Sequence, residues 1–538
     1  MHTPLGVNTL FQFGARHFPT SRVGEYDGSA IVWLTYADIC RQAGQLANGL
    51  TSLGLNNGDR VGTFLWNSAV HLSAYLAVPS MGGVLHTLNC RLAPEQIAFI
   101  INHANDRIVL VDGRLEEQFL PVLPHIPQVE RIIVVGSQGG LEHDSRVINF
   151  DALIADASYD FPWCDSPEET AAGICYTSGT TGNPKGVVYS QKTTYLHALA
   201  SRAVDSFGVH ERDTILMLPS MFHANAWGFP YSGWLSGADM VMPGPHLQVP
   251  HLRNMISQSR PTLTALVPTL LGDLLRADQQ QTLDCSCFRA IICGGSAVPS
   301  SMIDAARERW DVSVIQGWGM TETSPMCVLS HPPKDLQGHS ETDYRVKSGR
   351  PVPGIEVRVI ADNGDQLPSD GKSVGELQLR GAWVTGSYLD IDSDAFTPDG
   401  WLKTGDVGHV DAQGYVQLTD RSKDVIKSGG EWISSVDLED AILKHDAVDE
   451  VAVIAIPDER WQERPLAVIV PTATGAFDPA SIRDFLATRV ARFWIPEYWC
   501  QLTTLPKTSV GKLDKAALRR DLQAAKLTVL TEKGSSQS

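Results

Sequence analysis

The sequence predicts an α/β protein: a large N-terminal domain of mostly parallel sheets covered by helices plus an antiparallel β subdomain, followed by a small α+β C-terminal domain. Three patterns carry this. Between about residues 35 and 135, helix-like segments alternate with wholly apolar runs of strand length, which suits parallel strands buried on both faces. Near residue 350 the runs change to apolar–polar alternation punctuated by turn residues, as in a half-exposed antiparallel sheet. Beyond residue 430, about 110 residues mix helix and strand patterns, enough for a small core of their own.

In chain order, Thr35–Leu53 places Ile39, Ala43, Leu46 and Leu50 at helical spacing, with Gly54 as a stop. Asp59–Leu65 reads as a buried strand, Ser68–Val78 as a helix and Gly83–Leu88 as a strand. Pro94–Asn102 reads as a helix opened by proline in its first turn. Arg107–Val111, Arg131–Val135 and Arg289–Cys293 are apolar and of strand length. Glu356–Ile360, Gly375–Arg380 and Gly414–Leu418 alternate apolar and polar residues. Asp420–Gly430 is charged and glycine-ended, as a linker would be. Ser435–His445 is a helix introduced by Ser434-x-x-Asp437, a capping pattern. Glu450–Ile456 and Pro465–Val470 are strands and Asp478–Ala491 a helix. The expected division is 1–421, a linker at 422–430, and 431–538.

Composition narrows the function. At 43% hydrophobic and 19% charged residues, the chain is globular. A formal net charge of −18 disfavours a nucleic-acid binder, since phosphate backbones repel it. A polyanionic ligand must therefore be held by a local device. Nine cysteines without a C-x-x-C pair point to buried thiols, with no disulfide framework or zinc site; Cys285 and Cys287 are expected to be inert. The first residues show no cationic region followed by an apolar core, so no secretory leader is expected. Val61–Cys90 and Thr214–Gly237 lack charged residues, but prolines, glycines and histidines interrupt them; they are expected to be buried core with no membrane span.

The densest chemical signal is Thr177-Ser178-Gly179-Thr180-Thr181-Gly182-Asn183-Pro184-Lys185-Gly186. Three glycines, three threonines and a serine cannot pack a core. They can surround phosphates with backbone N–H groups and hydroxyls, with one lysine as counter-charge. The Walker pattern does not fit, because no Gly-Lys-Ser/Thr stands at the required spacing.

This loop resembles the signature of the adenylate-forming superfamily, which contains acyl-CoA synthetases, peptide-synthetase adenylation domains and luciferases. Further motifs of that family follow in order: Gly317-Trp318-Gly319-Met320-Thr321-Glu322, Thr404-Gly405-Asp406, Asp420-Arg421-Ser422-Lys423-Asp424 and Pro506–Lys512. Phe222-His223-Ala224-Asn225-Ala226-Trp227 and Ile426–Ser435 resemble bacterial medium- and long-chain fatty acyl-CoA synthetases in particular.

The resemblance implies an AMP-forming acyl-CoA ligase that uses ATP, Mg²⁺ and coenzyme A. A carboxylate displaces pyrophosphate from ATP, and a thiol then displaces AMP. It implies that Thr177–Lys185 holds the β- and γ-phosphates, that Thr321 contacts phosphate, and that Glu322, with Thr177, holds Mg²⁺. Lys512 bridges the acid carboxylate and the α-phosphate. Asp406 and Arg421 take the ribose. Gly294, Gly295, Ser296, Gln316, Gly317 and Trp318 form the adenine slot, where any aromatic at 318 would serve. His223 lies by the acid carboxylate, Trp227 gates the acyl tunnel, and Leu266, where relatives commonly have glycine, lines and shortens it. A small acid such as 3-methylthiopropionate, or a ring-bearing one, stays open. The small domain is mobile: Lys423 is the hinge, and Gly429 and Gly430 admit the pantetheine arm. The 26 residues after Lys512 carry no carrier motif, which favours coenzyme A as acceptor. A non-catalytic nucleotide-binding module would be expected to lack Lys512 or Glu322. The resemblance also implies a cytoplasmic homodimer.

Overall fold

The computed structural model describes residues 3–177, 184–334, 336, 339–421, 424–428, 431–458, 460–472, 477–508 and 512–531. Among the described residues the strands form sheets of seven, nine, four and six strands. Each of the helix and strand segments expected above is present within a few residues at its ends, except that the helix expected over Asp478–Ala491 ends at Leu486.

The seven-stranded sheet runs in the order 147–149, 131–135, 106–112, 60–64, 84–87, 171–176, 186–190. All its pairings are parallel except the last. The nine-stranded sheet has a parallel centre (313–319, 290–294, 263–266, 214–216, 239–242, 22–26) with antiparallel strands at both edges. Both sheets feed one core: Val61, Leu85 and Ile108 from the first share it with Ile215, Ala265 and Ile292 from the second. The helix Ala69–Ser80 is buried along its whole length, which explains its lack of a polar stripe. The uncharged stretches are therefore core, and no helix among the described residues is long and apolar enough to cross a membrane.

Local chemistry sets the element ends. Thr35 and Asp38 form a capping box on the helix Tyr36–Ser52, and the Ser434 hydroxyl accepts the Asp437 N–H. The antiparallel four-stranded sheet comprises 355–360, 375–381, 402–410 and 416–421. The C-terminal sheet centres on the strands Val448–Asp458 and Gln462–Pro471 and has its own two apolar clusters. The span 422–430, expected as linker, contains the short strand Ile426–Ser428, which pairs with 431–433 and 462 of that sheet. All nine cysteines are free thiols. Six are buried, but Cys164 is exposed and Cys40 and Cys287 are half-buried, so burial holds for most of them only. Burial pushes the Cys285 thiol up to about 12 and raises Cys287 as well, which keeps both protonated.

Candidate active site

The loop expected to hold phosphate is closed at its neck. The Thr177 N–H donates to the Lys185 carbonyl at 2.9 Å, and the Lys185 N–H donates to Thr177 Oγ1 at 3.2 Å. Ser178, Gly179, Thr180, Thr181 and Gly182 lie outside the described residues. Lys185 Nζ sits 4.8 Å from the Tyr388 ring centroid, and the Tyr388 hydroxyl donates to Glu322 Oε1 at 2.7 Å. Tyr388 thus couples the loop's lysine to the glutamate. Burial first, then the Glu322 charge, raises the Tyr388 phenol far above the ordinary tyrosine range, so it stays a donor. Glu322 is 6% exposed, and its carbonyl accepts the Thr385 N–H at 2.8 Å. Thr321 is buried beside it, its carbonyl bonded by the Tyr189 hydroxyl at 2.8 Å. Tyr388 was not anticipated: no spacing links residue 388 to residue 322, and only the fold brings them together.

The parallel strands Ala290–Gly294 and Ser313–Gly319 run side by side with Gly294 opposite Gly317. A Cβ on Gly294 would lie 2.7 Å from the Gly317 carbonyl oxygen, so this approach requires glycine. Gly295 follows at φ +89°, and Ser296 is exposed beside it. Gln316 plays another part than lining the slot. It is 4% exposed, its Oε1 accepts the Val298 N–H at 2.5 Å, and its Nε2 donates to the Val346 carbonyl at 2.9 Å, so both amide ends brace the loop after Gly295. Trp318 is 8% exposed, and its Nε1–H donates to Asp406 Oδ2 at 2.9 Å. This bond adds a donor, which phenylalanine lacks, to the flat face expected at 318. Arg421 stands opposite Asp406 in strand register, and only its backbone is described.

Lys512 reaches this cleft from the C-terminal domain. Its Cε lies 2.7 Å, and its Nζ 3.4 Å, from where a Cβ on Gly295 would stand; Val267 Cγ1 is 3.5 Å from the same point. Its loop is held by the Thr508 N–H on the Lys512 carbonyl at 2.7 Å and the Lys512 N–H on Thr508 Oγ1 at 3.2 Å. The two bodies touch where the Ser300 N–H meets Asp440 Oδ1 at 3.4 Å and Arg276 meets Asp449 at 3.7 Å. Lys423, Gly429 and Gly430 lie outside the described residues.

The segment expected to face the acid has an unusual backbone. Ala224, Asn225, Ala226 and Trp227 all have left-handed φ (43°, 50°, 49°, 58°), and Gly228 follows at 80°. For L-residues each such step costs roughly 1 kcal/mol or more. The turn is held by the Tyr75 hydroxyl, which bonds the Met221 carbonyl and Asn225 Oδ1. Gly228 cannot be replaced, because a Cβ would stand 2.4 Å from the His197 ring. The turn lays the Trp227 ring 3.2 Å from a would-be Cβ on Gly294. His223 precedes it. Desolvation, then the charges of Lys512 and Arg91, push its imidazole down to about 3, so it is neutral near pH 7. Leu266 differs from expectation. It packs with Leu271, Ile291 and Cys293 under the helices behind the sheet, whereas Ala265 shares the core with Trp227. Strand alternation explains this, and it is Val267, one residue on, that approaches Gly295 and Lys512.

A buried glutamate beside a phosphate-loop lysine, with a second lysine brought in from another domain, suits a reaction that steers one anion onto another. Adenylate formation is such a reaction. Comparison with known proteins agrees. Residues 12–389 match the AMP-binding enzyme family and residues 437–512 match the AMP-binding enzyme C-terminal domain. The chain belongs to the AMP-binding enzyme family. It is 42% identical over 497 residues to a long-chain-fatty-acid–CoA ligase of Thermus thermophilus, covering 90% of this chain and 89% of the relative. It is 38% identical over 533 residues to a 3-methylmercaptopropionyl-CoA ligase of Ruegeria pomeroyi, covering 97% and 98%. The solved structure of the anthranilate CoA ligase AuaEII with anthranoyl-AMP superposes with a TM-score of 0.87 at 26% identity, covering 97% of this chain and 99% of that one. Within its family the chain is an AMP-forming acyl-CoA synthetase.

Proposed function

We propose that the acid is aliphatic, a medium- or long-chain fatty acid, and that it is passed to coenzyme A with release of AMP and pyrophosphate. The observation that carries this reading is the apolar lining supplied by Trp227 at Gly294 and by Val267 at the Gly295–Lys512 contact. The activity named for the Thermus thermophilus relative supports it.

In the first step a carboxylate oxygen bonds the α-phosphorus and the bond to the pyrophosphate oxygen breaks. Lys512 supplies the positive charge between the two anions, and neutral His223 leaves that charge uncontested at neutral pH. The Thr177–Lys185 loop takes the β- and γ-phosphates with Thr321 beside it. Asp406 and Arg421 take the ribose, while Trp318 offers its face to the base over Gly294, Gly295, Ser296 and Gly317. In the second step the coenzyme A sulfur bonds the acyl carbon, its proton passes to solvent and AMP leaves. A turn of the small domain about Lys423 would withdraw Lys512 and bring Gly429 and Gly430 to the pantetheine arm.

Mg²⁺ fits the residues present. Glu322 is a hard oxygen donor already aligned by Tyr388, and Mg²⁺ takes one or two carboxylates alongside phosphates and water. Glu322 and Thr177 would hold it, and when bound it would neutralise phosphate charge. The same reading has the enzyme acting as a cytoplasmic homodimer.

A second reading is favoured by one observation. Trp227 lies close over Gly294, and a large ring there would suit a short acid such as 3-methylthiopropionate. A panel of acids from propionate and 3-methylthiopropionate to palmitate, assayed for coenzyme A-dependent AMP release, separates the two. A kcat/KM maximum at eight or more carbons supports the fatty-acid reading, and one at 3-methylthiopropionate overturns it.

A further inference from the structure

We infer that Trp318 is a positioning residue for Asp406, joining recognition of the base to recognition of the ribose through one indole hydrogen bond. The inference rests on the adenylate-forming reading above and deepens it.

The two residues belong to different sheets. Trp318 lies on the strand Ser313–Gly319 of the nine-stranded sheet, and Asp406 on the strand Leu402–Val410 of the four-stranded one. They are 88 positions apart in sequence and 2.9 Å apart at Nε1 and Oδ2. Trp318 is itself anchored: its backbone pairs with Val328, the Cys327 thiol donates to its carbonyl at 3.0 Å, and its ring is 8% exposed. Asp406 is anchored at its backbone, where its N–H donates to Thr404 Oγ1 at 3.0 Å. Gly405 precedes it with a left-handed φ of 70°.

With the backbone pinned, the orientation of the Asp406 carboxylate is a matter of side-chain rotation, and the indole N–H restrains it. The indole carries a single donor and no acceptor, so the bond has one polarity. A carboxylate has about four lone-pair sites, more than a single indole bond uses. A base stacked on the Trp318 face would settle the same ring that aims the carboxylate. Phenylalanine would keep the face and lose the donor. Tyrosine would carry its donor on the far edge of a smaller ring. Tryptophan at this position therefore does two jobs, and the second is visible only in the fold.

The test is nucleotide binding to the full-length enzyme by calorimetry, without acid, using ATP, 2′-deoxyATP and 3′-deoxyATP. For Trp318→Phe the inference expects ATP affinity to fall roughly tenfold, as for a lost bond to a charged group. It also expects the preference for ATP over the two deoxynucleotides to collapse towards that of Asp406→Ala. The double variant should lose little beyond Asp406→Ala alone, because both changes act through one contact. Trp318→His, an aromatic ring that retains an N–H, should recover part of the preference. If Trp318→Phe does not fold, Trp318→Tyr serves in its place with the same expectation. Equal weakening of all three nucleotides, with Trp318→Phe and Asp406→Ala adding independently, would reduce Trp318 to a stacking platform and overturn the inference. Failure of the unaltered enzyme to bind ATP at all would instead remove the adenylate-forming reading on which it stands.

Discussion

Glu322 and Lys512 serve the same cleft and are held in opposite ways. Glu322 is 6% exposed, bonded at its side chain by Tyr388 and at its carbonyl by Thr385, inside a body whose two large sheets share one core. Lys512 is half-buried on a loop of a separate sheet and passes over the bare backbone of Gly295. Away from the junction, where the Ser434 hydroxyl donates to the Thr419 carbonyl at 2.8 Å, the contacts named between the two bodies are light: a 3.4 Å bond from the Ser300 N–H to Asp440 and a 3.7 Å ion pair of Arg276 and Asp449 that is 44% and 39% exposed. Exposed pairs of that kind contribute little. The contrast teaches which parts of the reaction are permanent. In the proposed mechanism the groups that face the nucleotide are built in, while the cation that joins acid to nucleotide is lent by the smaller body.

The largest effect should come from the lent cation. Lys512→Ala is expected to lower acid-dependent pyrophosphate exchange by about 10²–10³-fold while sparing thioester formation from a supplied acyl-adenylate. Equal loss in both half-reactions would make Lys512 as permanent as Glu322. Next comes the surface it crosses. Gly295→Ala adds a Cβ 2.7 Å from Lys512 Cε on a backbone at φ +89°. It should cost up to roughly 10²-fold in exchange, by displacing the lysine, and again less in the second half-reaction. On the built-in side, Tyr388→Phe removes the Glu322 bond and should slow exchange by roughly tenfold in both kcat/KM for ATP and kcat. A change confined to the acid's KM would contradict the role assigned to it.

Apart from catalysis, an effect on pH stability is expected, and the three histidines that carry it all lie in the large body. Burial holds His71 down to about 4 and His197 and His223 down to about 3. In the unfolded chain these groups take a proton near the ordinary value of about 6.5. Between those limits the unfolded state binds more protons, so this stabilisation is complete above pH 6.5 and is lost as pH falls towards 3. The melting temperature should therefore drop between pH 7 and pH 5, with the large body melting first in calorimetry. A flat profile over that range would show that the three rings are not held neutral.

Much of this division was legible beforehand. Apolar runs such as Arg107–Val111 and Arg131–Val135 identified parallel strands because burial on both faces leaves no polar alternation. The Thr35 and Ser434 caps marked helix starts through chemistry that is local in sequence. The family was legible for the same reason: a Gly/Thr-rich loop or a Gly-Trp-Gly-Met-Thr-Glu run keeps its meaning within ten residues. What escaped was every contact that joins distant strands. Tyr388 on Glu322, the Trp318 indole on Asp406 and the turning inward of Gln316 depend on how sheets face one another. Leu266 illustrates the limit most directly. In a strand covered on both faces, an apolar residue gives no sign of which face it occupies, and one position's difference put Val267, rather than Leu266, at the cleft.

The left-handed turn from Ala224 to Gly228 bears on how this pocket could be redesigned. Four successive L-residues are already crowded there by their own Cβ atoms, and bulkier or β-branched replacements would raise a conformational cost that no filled cavity repays. Val267 sits on ordinary extended backbone that tolerates exchange of size and shape. Directed evolution towards new acids would accordingly find its accepted mutations at the strand ends, with the mirror-handed corner under Trp227 left unaltered.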